Sequence, residues 1–542
     1  MLEFRLKLIW ILKHLKSCLV FPLVGVLLGV IRVIFSLLFV YECKILIDIA
    51  TNKIEGDIIK EGIILFVLIV FQVVCNVLMI YFKSKSEILI KNYLQLKLFS
   101  HILSIKWIEK NKYHSADFVN RLEEDVRIVS DVLSNIIPQF IISIFQLIAA
   151  FVFLFLLNKY LSLVVVLIMP ILMLINRFFY SKQLSLNSRI RISESGIQKE
   201  LQENIQSSTL VSVMGSLKNV VNVFSFKQVD LYKLKMKATI NKIGMHTVVI
   251  LGFNLGYLSA FLWGVWGLSV GVISFGIMTA YLQLVGQIQR PIISLASDFP
   301  SLIKLHTSIQ RIENVEDIEI EESVNEREIQ GPLGIDFKNV DFSYEKGKMI
   351  LSSFSYNFKP STVTAITGKT GVGKTTILRI LLSFLEPKSG CVSIYNKDGI
   401  YPLDISTRYI FSYVPQGNTL LSGSIKSNLL LANPKASDEE IRQVLHVSVA
   451  DFVYTLPEGL DTECGENSIC LSEGQAQRIA IARALLQSRP IVLLDEISSS
   501  LDLETEILLM ERLYSFLKGK TVVYITHRKE VLKYCDAELC MK

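Results

Sequence analysis

Charge is what this sequence is short of. Only 20% of its 542 residues are Asp, Glu, Lys or Arg, against ~25% in an ordinary soluble domain. Hydrophobic residues make up 51%, and the mean hydropathy is +0.45. The apolar excess sits in blocks before about residue 300. The longest windows reach the ~20 residues that a helix needs to cross a bilayer, which excludes a fully soluble protein. Paired cysteines are missing as well. The eight cysteines, at 18, 43, 75, 391, 464, 470, 535 and 540, form neither CxxC pairs nor a metal-ligand spacing and read as free thiols. No internal repeat or low-complexity tract is present. A signal peptide is excluded because no short apolar core precedes a small-residue cleavage site, and an Arg- and Ser-rich transit segment is absent, which favours a bacterial plasma membrane. The net charge of +6 is carried partly by Lys and Arg bands beside the apolar blocks, as membrane topology demands, so no nucleic-acid partner is implied.

What is present begins with MLEFRLKLIWILKHLKS, where Arg5, Lys7, Lys13 and Lys16 alternate with apolar residues, a pattern suited to a helix lying on the cytoplasmic membrane surface. Six apolar spans follow, at about 18–41, 61–82, 135–157, 160–180, 246–271 and 273–297. Segments 83–132 and 181–244 are long and rich in Lys and Arg, whereas Asn158-Lys159 and Val272 to Gly276 are nearly uncharged turns. The long loops therefore face the cytosol, as do both termini. Apolar periodicity in the first long loop (Leu94, Leu98, Ile102, Ile105) predicts that spans two to five continue as helices well beyond the bilayer. Arg311 to Glu328 carries eight acidic residues and two arginines, then Gly331-Pro332 breaks the chain. We read 1–310 as an all-α membrane domain, 311–332 as a linker and 333–542 as an α/β domain in which β-rich runs alternate with helical ones.

Chemistry is concentrated in that last domain. Gly368, Lys369, Thr370, Gly371, Val372, Gly373, Lys374, Thr375 and Thr376 lie between a strand at 363–367 and a helix at 377–384. Such a glycine-rich turn wraps backbone N–H groups around a β-phosphate at a helix N-terminus; Lys374 neutralises β and γ oxygens and the Thr375 hydroxyl ligates Mg²⁺. An apolar strand ends in Asp495 and Glu496, which places one carboxylate on the metal and the next beside an attacking water as general base. ATP and Mg²⁺ are the cofactors this implies.

Leu471-Ser472-Glu473-Gly474-Gln475, leading into AQRIAIARALL, makes the likeness specific: the chain resembles an ATP-binding cassette (ABC) transporter of the exporter half-transporter type over nearly its whole length. The pentapeptide resembles the family signature, with Glu473 where glycine is usual. A Ser-x-Gly helix start also holds an anion through its amides, in line with the family role of Ser472, Gly474 and Gln475 in gripping γ-phosphate from the opposite subunit. The resemblance further implies that Tyr344 stacks on adenine, that Gln416 senses Mg²⁺ and faces the membrane domain, and that His527 contacts γ-phosphate. Glu466 would centre the cross-domain loop, and Asp502 would end the Ser-Ser-Leu-Asp loop along the dimer interface. The fold implied is a six-helix transmembrane domain fused to a P-loop ATPase domain with a helical subdomain. Short helices near Ser115 to Arg121 and Ser208 to Val213 would dock on the cassettes. After CDAELCMK the terminal strands and helix often found in the family are expected to be short or absent, and no room remains for an N-terminal protease domain.

One chain supplies one phosphate loop and one signature, so the resemblance implies two chains, a second copy or a paralogous half-transporter, burying two ATP between Lys374 of one and Ser472 of the other. ATP-driven export of a lipid, a peptide or an amphipathic small molecule by alternating access follows; an exporter-shaped importer stays open. Arg32, within an apolar span, is costly enough there to meet an anionic cargo group or to serve a structural pair. Gln283 and Gln287, one turn apart in the sixth span, either line the cavity or pack helices.

Overall fold

The computed structural model describes the chain except residues 1–9, 12–14, 17, 322–326, 328, 345–347, 418, 466–470, 499–500 and 542, together with the side chains of 161, 163–174, 176 and 296. Most of the N-terminal basic segment and Glu466 therefore lie outside the described residues. Two compact units emerge: residues 1–100 with 116–316, and residues 101–115 with 317–542.

The first unit is built on six long helices, α1 (Val20–Ala50), α2 (Ile58–Ser104), then, after α3 (Trp107–Lys110), which falls in the second unit, and short helices α4 (Ser115–Asn120) and α5 (Val126–Asp131), α6 (Ile137–Leu157) and α7 (Lys159–Gln206), and beyond α8 (Ser208–Val213), α9 (Leu217–Ser269) and α10 (Phe275–Glu316). Among the described residues, Val20–Ala50, Ile58–Ser104, Ser115–Leu157 and Leu217–Ser269 are long and apolar enough to cross a membrane. At 47, 48 and 53 residues, α2, α7 and α9 reach ~70–80 Å, over twice a ~30 Å hydrocarbon core. The polar halves of α7 and α9 pair with each other, through Lys227–Glu200 at 2.5 Å and Lys235–Glu194 at 2.7 Å. Short helices α4 and α8 sit where the two long loops were expected to carry them. The linker begins later than the acidic run predicts, because α10 passes through Pro291 and Pro300 and ends at Glu316, where Lys97 meets Glu316 at 2.6 Å. Pro291 and Pro300 therefore lie inside the helix rather than ending it.

Small residues let these helices approach. Gly252 and Gly256 are buried, and a Cβ on Gly264 would lie 2.7 Å from Met278 Cγ. Val40, Ala150, Leu154, Ala260, Tyr281, Leu284 and Ile288 form the core where α1, α6, α9 and α10 meet.

In the second unit, β1 (Gly334–Phe342), β2 (Leu351–Phe358), β4 (Ser389–Tyr395) and β5 (Ile400–Pro402) form an antiparallel sheet ordered β2-β1-β4-β5. A parallel sheet, β11-β3-β10-β9-β6, takes β3 (Val363–Gly368), β6 (Phe411–Val414), β9 (Ile491–Asp495), β10 (Thr521–Ile525) and β11 (Ala537–Met541), while β7 (Gly423–Ser424) and β8 (Glu463–Cys464) pair as a separate short ribbon. Both β9 and β10 are buried throughout and predominantly apolar, as a sheet covered on both faces requires. Alternation then divides them. Val492, Leu494, Val522 and Tyr524 face a core shared with α12 (Ile425–Leu430), α13 (Asp438–Val447), α14 (Glu473–Leu486) and α15 (Leu503–Phe516). Ile491, Leu493, Val523 and Ile525 face α11 (Lys374–Leu381) and the antiparallel sheet. Each such buried aliphatic side chain contributes ~1.5–3 kcal/mol. One strand does follow His527: β11 pairs in parallel with β3 and closes the sheet edge.

Candidate phosphate-handling site

Strand order builds this site. Four adjacent parallel strands, β3, β10, β9 and β6, each deliver a polar group just past the carboxyl end, where open α/β sheets bind ligands. Gly368 closes β3, His527 lies two residues beyond β10, Asp495 ends β9 with Glu496 next, and Gln416 lies two residues beyond β6. Residues separated by 159 positions in sequence thus share one edge.

The glycine loop needs its glycines. Gly368, Gly371 and Gly373 have φ of +142°, +84° and +109°, a region that side chains rarely enter. A Cβ on Gly373 would also come within 2.8 Å of Ile350 Cγ2. Lys374 is buried, and its Nζ donates to the carbonyls of Gly368 at 2.9 Å and Lys369 at 3.3 Å. Burial lowers its pKa, against the pull of Glu496 and Asp495. The same Nζ lies 3.0 Å from His527 Nε2, which lies 2.9 Å from Glu496 Oε1. Gln416 Nε2 donates to Glu496 Oε2 at 2.8 Å. Glu496 holds a φ of +48°, a strained geometry for a non-glycine residue, and Gln477 Nε2 donates to its carbonyl at 3.3 Å.

Asp495 is buried, and burial, then the charge of Glu496, pushes its pKa up to about 6. Thr375 Oγ1 donates to one of its oxygens and Tyr413 OH to the other, both at 3.5 Å. Two hard oxygens, Thr375 Oγ1 and Asp495 Oδ1, thus stand close enough to share a divalent cation, a donor set that fits Mg²⁺.

Other expected residues are engaged within the chain. Ser472 caps α14: its Oγ accepts from Gln475 N at 3.2 Å while Gln475 Oε1 accepts from Ser472 N at 2.9 Å, and Gly474 is buried in the first turn. Asp502 caps α15 by accepting from Thr505 N at 2.9 Å, a bond that lowers its pKa. Tyr344, half exposed, holds its hydroxyl 3.3 Å from Thr376 Oγ1. In the first unit, Arg32 donates to Asn76 Oδ1 at 3.1 Å, Gln287 to Ser36 Oγ at 2.9 Å, and Gln283 hydrogen-bonds Cys43. All three bonds run between neighbouring helices.

Sequence reasoning passed over Tyr413 and Gln477. Gln477 carried a signal, lying one turn past Glu473 in the helix that starts at the signature.

Residues 20–292 match the family described as the ABC transporter transmembrane region, and residues 351–499 match the ABC transporter domain. A multidrug resistance ABC transporter ATP-binding and permease protein of Lactococcus lactis is 27% identical over 536 residues, covering 97% of this chain and 89% of that protein. A putative export ATP-binding/permease protein of Rickettsia typhi is 28% identical over 530 residues, covering 93% and 90%. Among solved structures, a bacterial Atm1-family ABC exporter with ATP bound has the same fold, with a TM-score of 0.76 and 22% identity across 98% of this chain and 94% of that one.

Proposed function

The chain belongs to the ABC transporter family, its cassette coupling ATP hydrolysis to transport, and from that premise we propose that it is an exporter acting as a dimer of two copies in a bacterial plasma membrane. Six spans, with the cassette and both termini in the cytosol, are the topology this requires. The observation that carries the reading is the shared sheet edge that brings Lys374, His527, Glu496 and Gln416 within hydrogen-bond reach of one another.

In this reading Gly368 to Thr376 wrap the phosphates with backbone amides and Lys374 exchanges its carbonyl partners for phosphate oxygens. Glu496 takes the proton from the attacking water, and His527 holds the carboxylate in line while meeting γ-phosphate. Thr375, Asp495 and Gln416 would hold a Mg²⁺ ion, which would supply charge neutralisation on the phosphates. Ser472, Gly474 and Gln475 present the N-terminus of α14 to the nucleotide of the other copy, with Asp502 on the same interface. Binding draws the cassettes together and hydrolysis parts them, so the spans alternate between inward and outward openings. The name of the Lactococcus relative, a multidrug resistance protein, favours an amphipathic small molecule as cargo, with Arg32, Gln283 and Gln287 on the route.

The test is Mg-ATP hydrolysis by the chain alone in lipid nanodiscs, beside Glu496→Gln and with lipid, peptide and amphipathic-drug panels. Turnover by the wild type, loss in the variant and a rate shift with one panel are expected. Equal turnover by the variant would remove Glu496 from the chemistry.

A further inference from the structure

Tyr344 ends a continuous stack within the second unit. Arg379 NH1 donates to Tyr344 OH at 3.0 Å, and the Arg379 guanidinium lies 4.8 Å over the Trp107 ring. Trp107 stacks on Phe384, 6.0 Å between centroids and 18° between planes, and the Arg408 guanidinium covers Phe384 at 4.7 Å. Arg408 is fixed in turn by Glu321 at 2.6 and 3.1 Å and by the carbonyls of Leu382 and Ser383. Trp107 itself is seated by Ile105 bridging to Ile320 and Lys106 pairing with Glu319 at 2.7 Å.

A guanidinium is always charged and donates only. Arg379 therefore makes the Tyr344 hydroxyl an acceptor and turns its proton toward Thr376 Oγ1, 3.3 Å away. Phe342 meets the Tyr344 ring edge-on at 5.0 Å and 88°. Hydroxyl and ring plane are both set, while half the residue stays open to solvent. Arg379 would otherwise be a long side chain with several rotamers; the Trp107 face is what fixes it.

We propose that Arg379 and Trp107 are positioning residues for the nucleotide base: they hold Tyr344 as a pre-set stacking platform, so the short segment 101–115 contributes to ATP affinity without touching the nucleotide. This rests on Tyr344 being the residue that stacks on adenine. A platform ordered before binding spares the ligand that ordering cost, and only a ligand with a base gains from it.

The experiment compares ATP with inorganic tripolyphosphate, which carries the phosphates and no base, by calorimetric titration of the full chain in nanodiscs in the Glu496→Gln background. Trp107→Ala should weaken ATP about three- to tenfold, the scale of a lost cation–π contact or hydrogen bond, and leave tripolyphosphate unchanged, whereas Arg379→Leu, which also removes a charge acting on Asp495, should weaken ATP more than it weakens tripolyphosphate. Trp107→Phe, which keeps an aromatic face, should restore ATP affinity. With Glu496 intact, KM for ATP should rise while kcat at saturation holds. Unchanged ATP affinity, or equal weakening of both ligands, would overturn the proposal. Tyr344→Ala separates the two levels. If it shifts ATP alone while the Trp107 and Arg379 variants do not, only the positioning roles fall. If Tyr344→Ala leaves the ratio of the two affinities untouched, the base-stacking reading falls and takes this inference with it.

Discussion

Gln416 donates its side-chain amide to Glu496 across 2.8 Å, while the other oxygen of the same carboxylate lies 2.9 Å from His527 Nε2. Two groups from beyond different strands thus clamp one carboxylate that leaves its own strand with a φ of +48°. A base held this way has its direction decided before substrate arrives.

Losing one arm of the clamp should therefore slow chemistry more than binding. Gln416→Ala is expected to lower kcat about ten- to hundredfold, the scale of a hydrogen bond to a charged group, with a smaller rise in KM for Mg-ATP because Thr375 and Asp495 remain to hold the metal. Glu496→Gln should cost about 10²–10⁴-fold, as expected for a general base. Phosphate release under saturating Mg-ATP measures both.

Asp495 gives the nucleotide-free protein a pH signature. Its pKa stands raised from 3.8 to about 6 by burial and by Glu496, so the folded cassette holds this proton more tightly than the unfolded chain does. The associated stability is complete below about pH 4 and is lost as pH climbs through about 6, ~3 kcal/mol in all. Asp495→Asn has nothing to titrate there. Thermal melting from roughly pH 4.5 to 7.5 should show the variant gaining on the wild type as pH rises; a constant gap would contradict the assignment.

Stability elsewhere turns on a pair that took no part in the sequence reading. Glu506 is wholly buried, and Arg528 meets it at 2.5 Å while also donating to the carbonyl of Leu501 at 3.1 Å. Arg528→Ala strands the buried Glu506 carboxylate and should destabilise the cassette by about 3–5 kcal/mol, whereas replacing both partners with apolar residues should recover much of that. Chemical denaturation of the three proteins decides it.

The apolar runs and the glycine loop were legible because single segments carry them: span length, strand–loop–helix order and terminal acids are local. Helical extension beyond the bilayer was legible from the spacing of Leu94, Leu98 and Ile102. The end of α10 was not, since Arg311 to Glu316 reads as an acidic linker until Lys97 and Asp125 are found opposite, Arg311 lying 3.6 Å from Asp125 and Lys97 2.6 Å from Glu316. Ser472 and Asp502 could have been read as helix caps from the residues three places on, Gln475 and Thr505. The stack of Tyr344, Arg379, Trp107 and Phe384 has no sequence signal, because only folding brings residue 107 to the cassette.

Composite sites are the centre of the account, and mixed dimers test them most directly. Lys374→Ala and Ser472→Arg chains, each inactive alone, would be differently tagged, co-produced and purified through both tags. Lys374 of one copy working with Ser472 of the other predicts that the mixed dimer regains ATP hydrolysis at one intact site, since one site collects both defects and the other collects neither. A mixed dimer as silent as its parents would contradict it and place each working site within a single chain.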